Sequence, residues 1–270
     1  LGIGIVASCE CLVNDTIQAI AGEDSKGGVY RLVIKIPDDV PMPKCGQFYM
    51  LQAVPSKVLL SRPISVYAFD TINRSVDFLI LKKGIGTAEL CSLTAGDKVN
   101  ILGPQGNTFE KPNEKDKVAI IGGGIGVAPV SGFAFTLQKK SYDFYACFKS
   151  GSYGIEKLNP NELVISTDDG SVGKKGILPD IFNGDVIRQK GYTVVYACGP
   201  EPMLKYVKNL CEEMGIKSYI SMEARMACGM GACLGCTIAT VDGNKRCCVD
   251  GPVFLGEKII FQEPKKKLVT

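Results

Sequence analysis

KVAIIGGGIG, at residues 117–126, is the stretch that decides the fold. The apolar strand VAII runs directly into Gly122, Gly123, Gly124 and Gly126, and a helix is expected behind them, from Ala128 to Lys140. YDFYACF (142–148), ELVIST (162–167) and YTVVYACG (192–199) read as further apolar strands, and EPMLKYVKNLCEEMG (201–215) has the periodicity of an amphipathic helix. Strands alternating with helices build a doubly wound α/β unit, a parallel sheet with helices on both faces. Ligands of such sheets sit beyond the carboxyl ends of the strands. Glycines there let backbone N–H groups approach a pyrophosphate that the next helix N-terminus stabilises; the plainer reading is a tight strand-to-helix turn. A second loop, Ala197-Cys198-Gly199-Pro200-Glu201-Pro202-Met203, ends another strand in bare backbone against which a flat ring can lie. Together the loops make a nucleotide site the expectation, formed by Gly122, Gly123, Gly124, Gly126, Cys198, Gly199, Pro200 and Met203. The spacing is not G-x-G-x-x-G, and strand 142–148 ends in Lys149-Ser150 and not in an acid. Lys149 and Ser150 are either 2′-phosphate ligands or a solvated strand end.

Toward the N-terminus the pattern becomes all-β. Short runs rich in Val, Ile, Leu, Phe and Tyr stand at 29–36, 47–53, 64–69 and 76–82, separated by turn sequences such as PDDVPMPKCG and DTINRS, as in an antiparallel barrel or sandwich. The polar segment EKPNEKDK (110–117) is the linker candidate between the two patterns. The last ~50 residues read as a Cys- and Gly-rich, loop-like segment ending in a solvated lysine run, 265–267.

Composition removes several classes of function. The chain has 270 residues with 46% hydrophobic and 22% charged, which is globular usage. Its net charge of +3 is too balanced to point to nucleic acid or a polybasic membrane surface. No run approaches the ~20 apolar residues of a membrane span, and no basic-then-apolar signal peptide is present in the sequence at hand. Histidine is absent altogether, which excludes Ser-His-Asp and Cys-His catalysis, His-ligated zinc and haem on a proximal His. Of twelve cysteines, five (Cys228, Cys233, Cys236, Cys247 and Cys248) are clustered, which reads as metal binding in a reducing compartment.

Cys228-x4-Cys233-x2-Cys236, with Cys248 further on, is the plant-type spacing of a [2Fe–2S] cluster. Gly229, Gly231 and Gly235 let such a loop fold around the cluster and aim amides at its sulfurs. Structural zinc would more often present two separated Cys pairs. Spacing alone does not separate Cys247 from Cys248 as fourth ligand. The remaining cysteines read as small buried hydrophobes.

SRPIS (61–65), KGIGT (83–87) and LGPQGN (102–107) resemble the flavin-binding barrel of ferredoxin–NAD(P)+ reductases. IGGGIGVAP (121–129) and CGPEPM (198–203) resemble the pyridine-nucleotide domain of that superfamily. EARMACGMGACLGC (223–236) with CVDGPVF (248–254) closely resembles the electron-transfer subunits of type B dihydroorotate dehydrogenases, and the likeness covers the chain beyond about residue 25. The resemblance implies FAD, a [2Fe–2S] cluster and NAD(H) as cofactors. It implies three domains: an FAD-binding β-barrel over 1–111, an NAD-binding α/β domain over 112–220 and a small cluster domain over 221–270. It implies FAD contacts from Arg62, Pro63, Ile64 and Ser65, with Arg62 neutralising the pyrophosphate and Ser65 near the isoalloxazine. Leu79, Ile80 and Leu81 would line the flavin, and Gly86 and Thr87 would offer backbone and hydroxyl donors to its phosphates. The family's fourth ligand precedes x-Asp-Gly-Pro, which selects Cys248, so Cys228, Cys233, Cys236 and Cys248 are the implied cluster ligands.

The implied activity is a relay. NADH gives a hydride to flavin N5, single electrons pass to the cluster, and a separate FMN-containing dihydroorotate dehydrogenase subunit exchanges them with dihydroorotate in pyrimidine biosynthesis. Hydride transfer needs orientation and no protein base, which fits a chain without histidine. No residue of this chain is assigned a catalytic role, and the chain alone should be inactive on dihydroorotate. A heterotetramer with two of each subunit, a cytoplasmic location, NAD as the nucleotide and an exposed apolar rim near the cluster go with the resemblance. Glu223 and Arg225 are read as steering a partner or the nicotinamide, or else as an ordinary ion pair. The enzymatic alternative is the NAD(P)H-linked subunit of a sulfide dehydrogenase or of an electron-bifurcating ferredoxin–NADP+ oxidoreductase, relatives that tend to carry Asp where this chain has Cys228. The alternative from another class is a zinc-stabilised, non-enzymatic regulatory protein.

Overall fold

The computed structural model describes residues 1–13 and 27–262, so the lysine run at 265–267 lies outside the described residues. Six strands close into an antiparallel barrel: β1 (Gly2–Val13), β2 (Val29–Lys35), β3 (Phe48–Val54), β4 (Arg62–Asp70), β5 (Ser75–Leu81) and β6 (Lys98–Gln105), in the order β1-β2-β5-β4-β3-β6. Side chains alternate across each strand. Leu32, Ile34, Tyr49, Leu51, Val76, Phe78, Ile80, Val99 and Ile101 therefore fill the interior. Helix α1 (Ile85–Cys91) adds Leu90 and Cys91 to that core.

The second unit is a seven-stranded sheet. It contains β7 (Val118–Gly123), β8 (Tyr142–Phe148), β9 (Glu162–Thr167), β10 (Lys174–Lys175), β11 (Val194–Cys198), β12 (Lys217–Ser221) and, near the C-terminus, β15 (Val253–Leu255). The order is β10-β9-β8-β7-β11-β12-β15, parallel throughout except for the last strand. Helices cover both faces, as the alternation of elements requires. On one face α2 (Val127–Ala134) packs on Ile120, Phe144 and Tyr196. On the other, α3 (Leu178–Ile181), α4 (Gly184–Lys190) and α5 (Glu201–Glu213) pack on Ile121, Tyr145 and Val195.

Two expectations change. The helix expected to reach Lys140 stops at Ala134, because Thr136 N and Oγ1 both donate to Phe133 O (2.9 and 2.7 Å) and wind the chain into a tight turn. The C-terminal segment is also more ordered than a loop. It holds the hairpin β13 (Thr237–Thr240) and β14 (Gly243–Arg246), and then supplies β15 to the edge of the large sheet. Barrel and sheet meet through α2, where a Cβ on Gly132 would stand 2.5 Å from Tyr67 O, and through the edge-on pair Tyr67–Phe135.

Candidate functional site

Strand β4 carries the first group of candidate residues. Register pairs Phe48 with Ser65 and Met50 with Pro63, so these four side chains share the outer face of the barrel while Tyr49 and Leu51 point inward. Arg62 leans over the first turn of α1. A Cβ on Gly86 would come within 2.6 Å of its Nε, so glycine lets the guanidinium lie directly on the helix backbone. Among the described residues, Arg62 donates through Nη1 alone, to Leu60 O (3.2 Å) and Ser61 O (3.4 Å), which leaves guanidinium N–H groups beside the unpaired amides of the helix start. A cation beside free amides is a donor set that fits a pyrophosphate. The Thr87 hydroxyl, expected to face phosphate, donates instead to Gly84 O (2.9 Å) and accepts from Lys83 N and Gly84 N, so it serves the turn. Of the three leucine and isoleucine positions on β5, Ile80 is inside the barrel. Leu79 and Leu81 lie on the other face, toward the nucleotide sheet, with Leu79 closely covered by Gly154.

At the carboxyl edge of the sheet the two expected nucleotide loops touch each other. A Cβ on Gly126 would lie 2.6 Å from the carbonyl of Cys198, and one on Gly199 would lie 3.0 Å from the Cα of Gly123. Met203 lies over both Gly123 and Gly199, and Val127 crowds Gly122 at 2.7 Å. These glycines are therefore required by loop packing. Gly124 differs: it has φ +52°, and nothing comes closer to a Cβ there than Tyr153 Oη at 3.9 Å, so its backbone is the open part of the edge. Cys198 is buried, and burial, helped by Glu223, pushes its thiol pKa up. Glu223 itself is reachable by solvent yet walled by protein between Cys198 and Lys83. Desolvation raises its carboxyl pKa and Lys83 opposes the rise. Next to Lys149 and Ser150 stands Asp169, which accepts from Ser171 Oγ (2.7 Å), Ser171 N (2.9 Å) and the side chain of Ser150; these bonds hold its pKa at about 2.

The cysteine loop closes on itself through its amides. Cys228 Sγ accepts from Cys233 N at 3.4 Å, and bonds from the amides of Met230 and Ala232 and from the Cys233 side chain join it, pulling the Cys228 thiol down to about 6. Gly235 N donates to Cys233 Sγ at 3.5 Å. Cys248 faces Cys236 and receives the amide of Gly231; burial, with Cys236 beside it, puts its pKa at about 11. Cys247 is fully buried, and burial sends its thiol to about 12. Among the described residues no three Cys, Asp or Glu side chains gather closely enough to hold one metal ion. The thiols stand as two pairs, 228 with 233 and 236 with 248, a donor set that fits two irons better than a single tetrahedral zinc.

The loop is seated on the barrel. Phe48 and Met50 pack against Cys236, Cys247 and Cys248, and Gly229, at φ +68°, lies so close to Met50 that no side chain would fit. Phe48 and Met50 were not anticipated as site residues. Their signal was the period-2 alternation of QFYMLQA, which turns them outward when Tyr49 and Leu51 turn in.

Residues 223–260 match the family model described as the iron–sulfur cluster binding domain of dihydroorotate dehydrogenase B. Over 238 residues the chain is 43% identical to the dihydroorotate dehydrogenase B (NAD(+)) electron transfer subunit of Clostridium acetobutylicum, spanning 87% of this chain and 93% of that one. The chain belongs to the family of dihydroorotate dehydrogenase B electron transfer subunits. The member from Clostridium perfringens is 38% identical over 87% of this chain and 93% of its own. Among solved structures, the NADH-dependent reduced ferredoxin-NADP oxidoreductase studied for flavin-based electron bifurcation aligns with a TM-score of 0.80 over 96% of this chain and 90% of that chain, at 22% identity. That likeness is one of fold. The bifurcating alternative thus shares the architecture of the dihydroorotate family, while high sequence identity falls on the latter. Membership also makes this chain a subunit of an oxidoreductase and not a zinc-stabilised regulatory protein.

Proposed function

We propose that this chain takes electrons from NADH and delivers them, through FAD and a [2Fe–2S] cluster, to an FMN-containing dihydroorotate dehydrogenase subunit in pyrimidine biosynthesis. The observation that carries this reading is the shared face of the barrel. Pro63 and Ser65 lie on β4, and Phe48 and Met50 lie on the adjacent β3, under the cysteine loop. Neighbouring strands are about 4.8 Å apart, so a group held on β4 and a group held by the loop are close neighbours. When bound, FAD accepts a hydride and releases electrons singly, and the cluster carries one electron at a time.

The work of the protein in this reading is to bind, orient and exclude water. Arg62 and the first amides of α1 hold the flavin pyrophosphate, while Pro63, Ser65 and the backbone of Ile64, whose side chain packs inside the barrel, hold the ring with the outer side of β5. The 121–126 and 198–203 loops, locked together by Gly123, Gly126, Gly199 and Met203, offer the nucleotide a rigid edge that is open at Gly124. The Asp169 carboxylate already engages Ser150 and adds negative charge where a 2′-phosphate would need donors, which favours NADH over NADPH. Amides aimed at Cys228 keep one ligand ready as thiolate, and Cys233, Cys236 and Cys248 complete the set.

The partner reading is supported by the rim of the cysteine loop, where Met230, Leu234 and Val249 are 56%, 62% and 45% exposed. A heterotetramer with two of each chain is part of the proposal. So is a cytoplasmic location, which goes with a cysteine cluster read as a metal centre in a reducing compartment. Among the described residues no helix is long and apolar enough to cross a membrane. The test is reconstitution. The chain alone should leave dihydroorotate unoxidised with NAD+ present, and adding the FMN-bearing subunit should start NADH formation. Turnover of dihydroorotate by this chain alone, or no gain with the partner, would overturn the reading.

A further inference from the structure

LGPQGN (102–107) reads from sequence as part of the flavin barrel, but its end faces elsewhere. Strand β6, which it terminates, lies on the far side of β3 from β4, beside the seat of the cysteine loop. Asn107 grips the segment that follows Cys248 on both its donor and its acceptor sides. Its Nδ2 donates to Val253 O (2.8 Å) and Asp250 O (3.2 Å), its Oδ1 accepts from Val253 N (2.9 Å), and its backbone N donates to Gly251 O (2.6 Å). Gly106, at φ +78°, brings the backbones together. A Cβ there would stand 2.6 Å from Pro252 Cδ and 2.7 Å from Gly251 O, and Gln47 Nε2 donates to the Gly106 carbonyl at 2.8 Å. On the other side of Cys248, Arg246 N donates across it to the Asp250 carboxylate (2.7 Å), and Arg246 Nη1 donates to Gly231 O (3.2 Å) inside the ligand loop. Cys248 is therefore strung between an anchor on the barrel and an anchor on its own loop.

We propose that Asn107 is a positioning residue of the iron–sulfur site: a barrel side chain that fixes the segment carrying the fourth ligand and so holds the cluster against the flavin face. The proposal rests on the cluster reading above. An amide is the side chain that can donate to two carbonyls and accept from an N–H in this geometry. Aspartate has the same shape, but it would turn both donated bonds into carboxylate–carbonyl repulsions. Groups that orient metal ligands without touching the metal have large effects on how firmly the metal is held.

The test uses the full-length, cofactor-loaded chain as wild type, Asn107→Asp and Asn107→Ser. Asn73→Asp, which makes the same change in an exposed barrel turn, is the control. FAD content, the EPR spectrum after dithionite reduction, the cluster midpoint potential and the rate of iron release to a chelator are measured. Asn107→Asp should keep its FAD, release iron roughly tenfold faster, and show a broadened spectrum and a shifted potential. Asn107→Ser should move the same way by less, and Asn73→Asp should match wild type. Should Asn107→Asp prove insoluble, the uncharged Asn107→Ser carries the test. Wild-type spectrum, potential and iron release in the Asn107 variants would overturn the proposal. A wild-type chain without any [2Fe–2S] signal would overturn the cluster reading, and the proposal with it.

Discussion

At the nucleotide edge glycines let two loops of the protein touch, whereas in the cysteine loop they let one loop bend around sulfur. Gly122, Gly123, Gly126 and Gly199 owe their identity to neighbours that a Cβ would strike, namely Val127, Met203 and the backbone of Cys198. Their removal would be felt first as misfitted packing. Gly229 and Gly231 lie at φ +68° and +84°, where side chains are strained, and they also abut Met50 and Val249. There the backbone turn is what aims the amides of Met230, Ala232 and Cys233 at Cys228 and that of Gly231 at Cys248. Two glycine-rich stretches that look alike as letters thus do different work: one builds a rigid edge, the other folds a cysteine loop seated on the barrel.

The contrast can be attacked residue by residue. The largest effect is expected from Cys248→Ser, which should abolish the [2Fe–2S] EPR signal while leaving FAD bound, whereas Cys247→Ser should keep the signal; the reverse outcome would reassign the fourth ligand. Arg62→Ala should weaken FAD retention by roughly 10- to 100-fold, the value of a charge-assisted hydrogen bond or two, as read by equilibrium dialysis, with the iron content unchanged. Gly126→Ala should cost about 1–3 kcal/mol of stability in denaturant melts, because its Cβ meets fixed backbone. If Gly126→Ala kept full stability and lost only nucleotide affinity, the loop-packing account of that edge would be wrong. The smallest effect belongs to Gly235→Ala. The nearest atom to its Cβ is Cys233 Sγ at an ordinary 3.6 Å, so stability should change by less than about 0.5 kcal/mol and the cluster spectrum should persist.

Much of this was legible in the chain itself, and the reasons differ by region. Continuous apolar runs, such as 76–82, and strands entering glycine, such as 118–123, announced β5 and β7 because both strands are buried on both faces. Strands β1 and β6 escaped notice. One places Gly4 inward against Ile34 and Ile101 and leaves Ile3 and Ile5 exposed, the other runs into Gly-Pro, and only their pairing in the closed barrel makes them strands. The cysteine spacing was readable because ligand geometry constrains sequence locally. The docking of that loop on Phe48, Met50 and Asn107 was not, since it joins positions more than a hundred residues apart. Similarly, Ile80 could be grouped with Leu79 and Leu81 as letters, but the pleat turns it into the barrel. Thr87 looked like a phosphate donor until its hydroxyl was found closing its own turn.

In the proposed relay, one face of the barrel holds flavin and cluster close enough to act in series. The most direct measurement is an anaerobic NADH titration of the purified, cofactor-loaded chain, followed by visible absorbance and low-temperature EPR, with Cys248→Ser in parallel. The account expects the flavin band to bleach, a rhombic [2Fe–2S] signal to appear, and about three electrons to be taken up per chain, against about two for Cys248→Ser. Bleaching of the flavin with an intact cluster that stays oxidised, or no response to NADH at all, would contradict it.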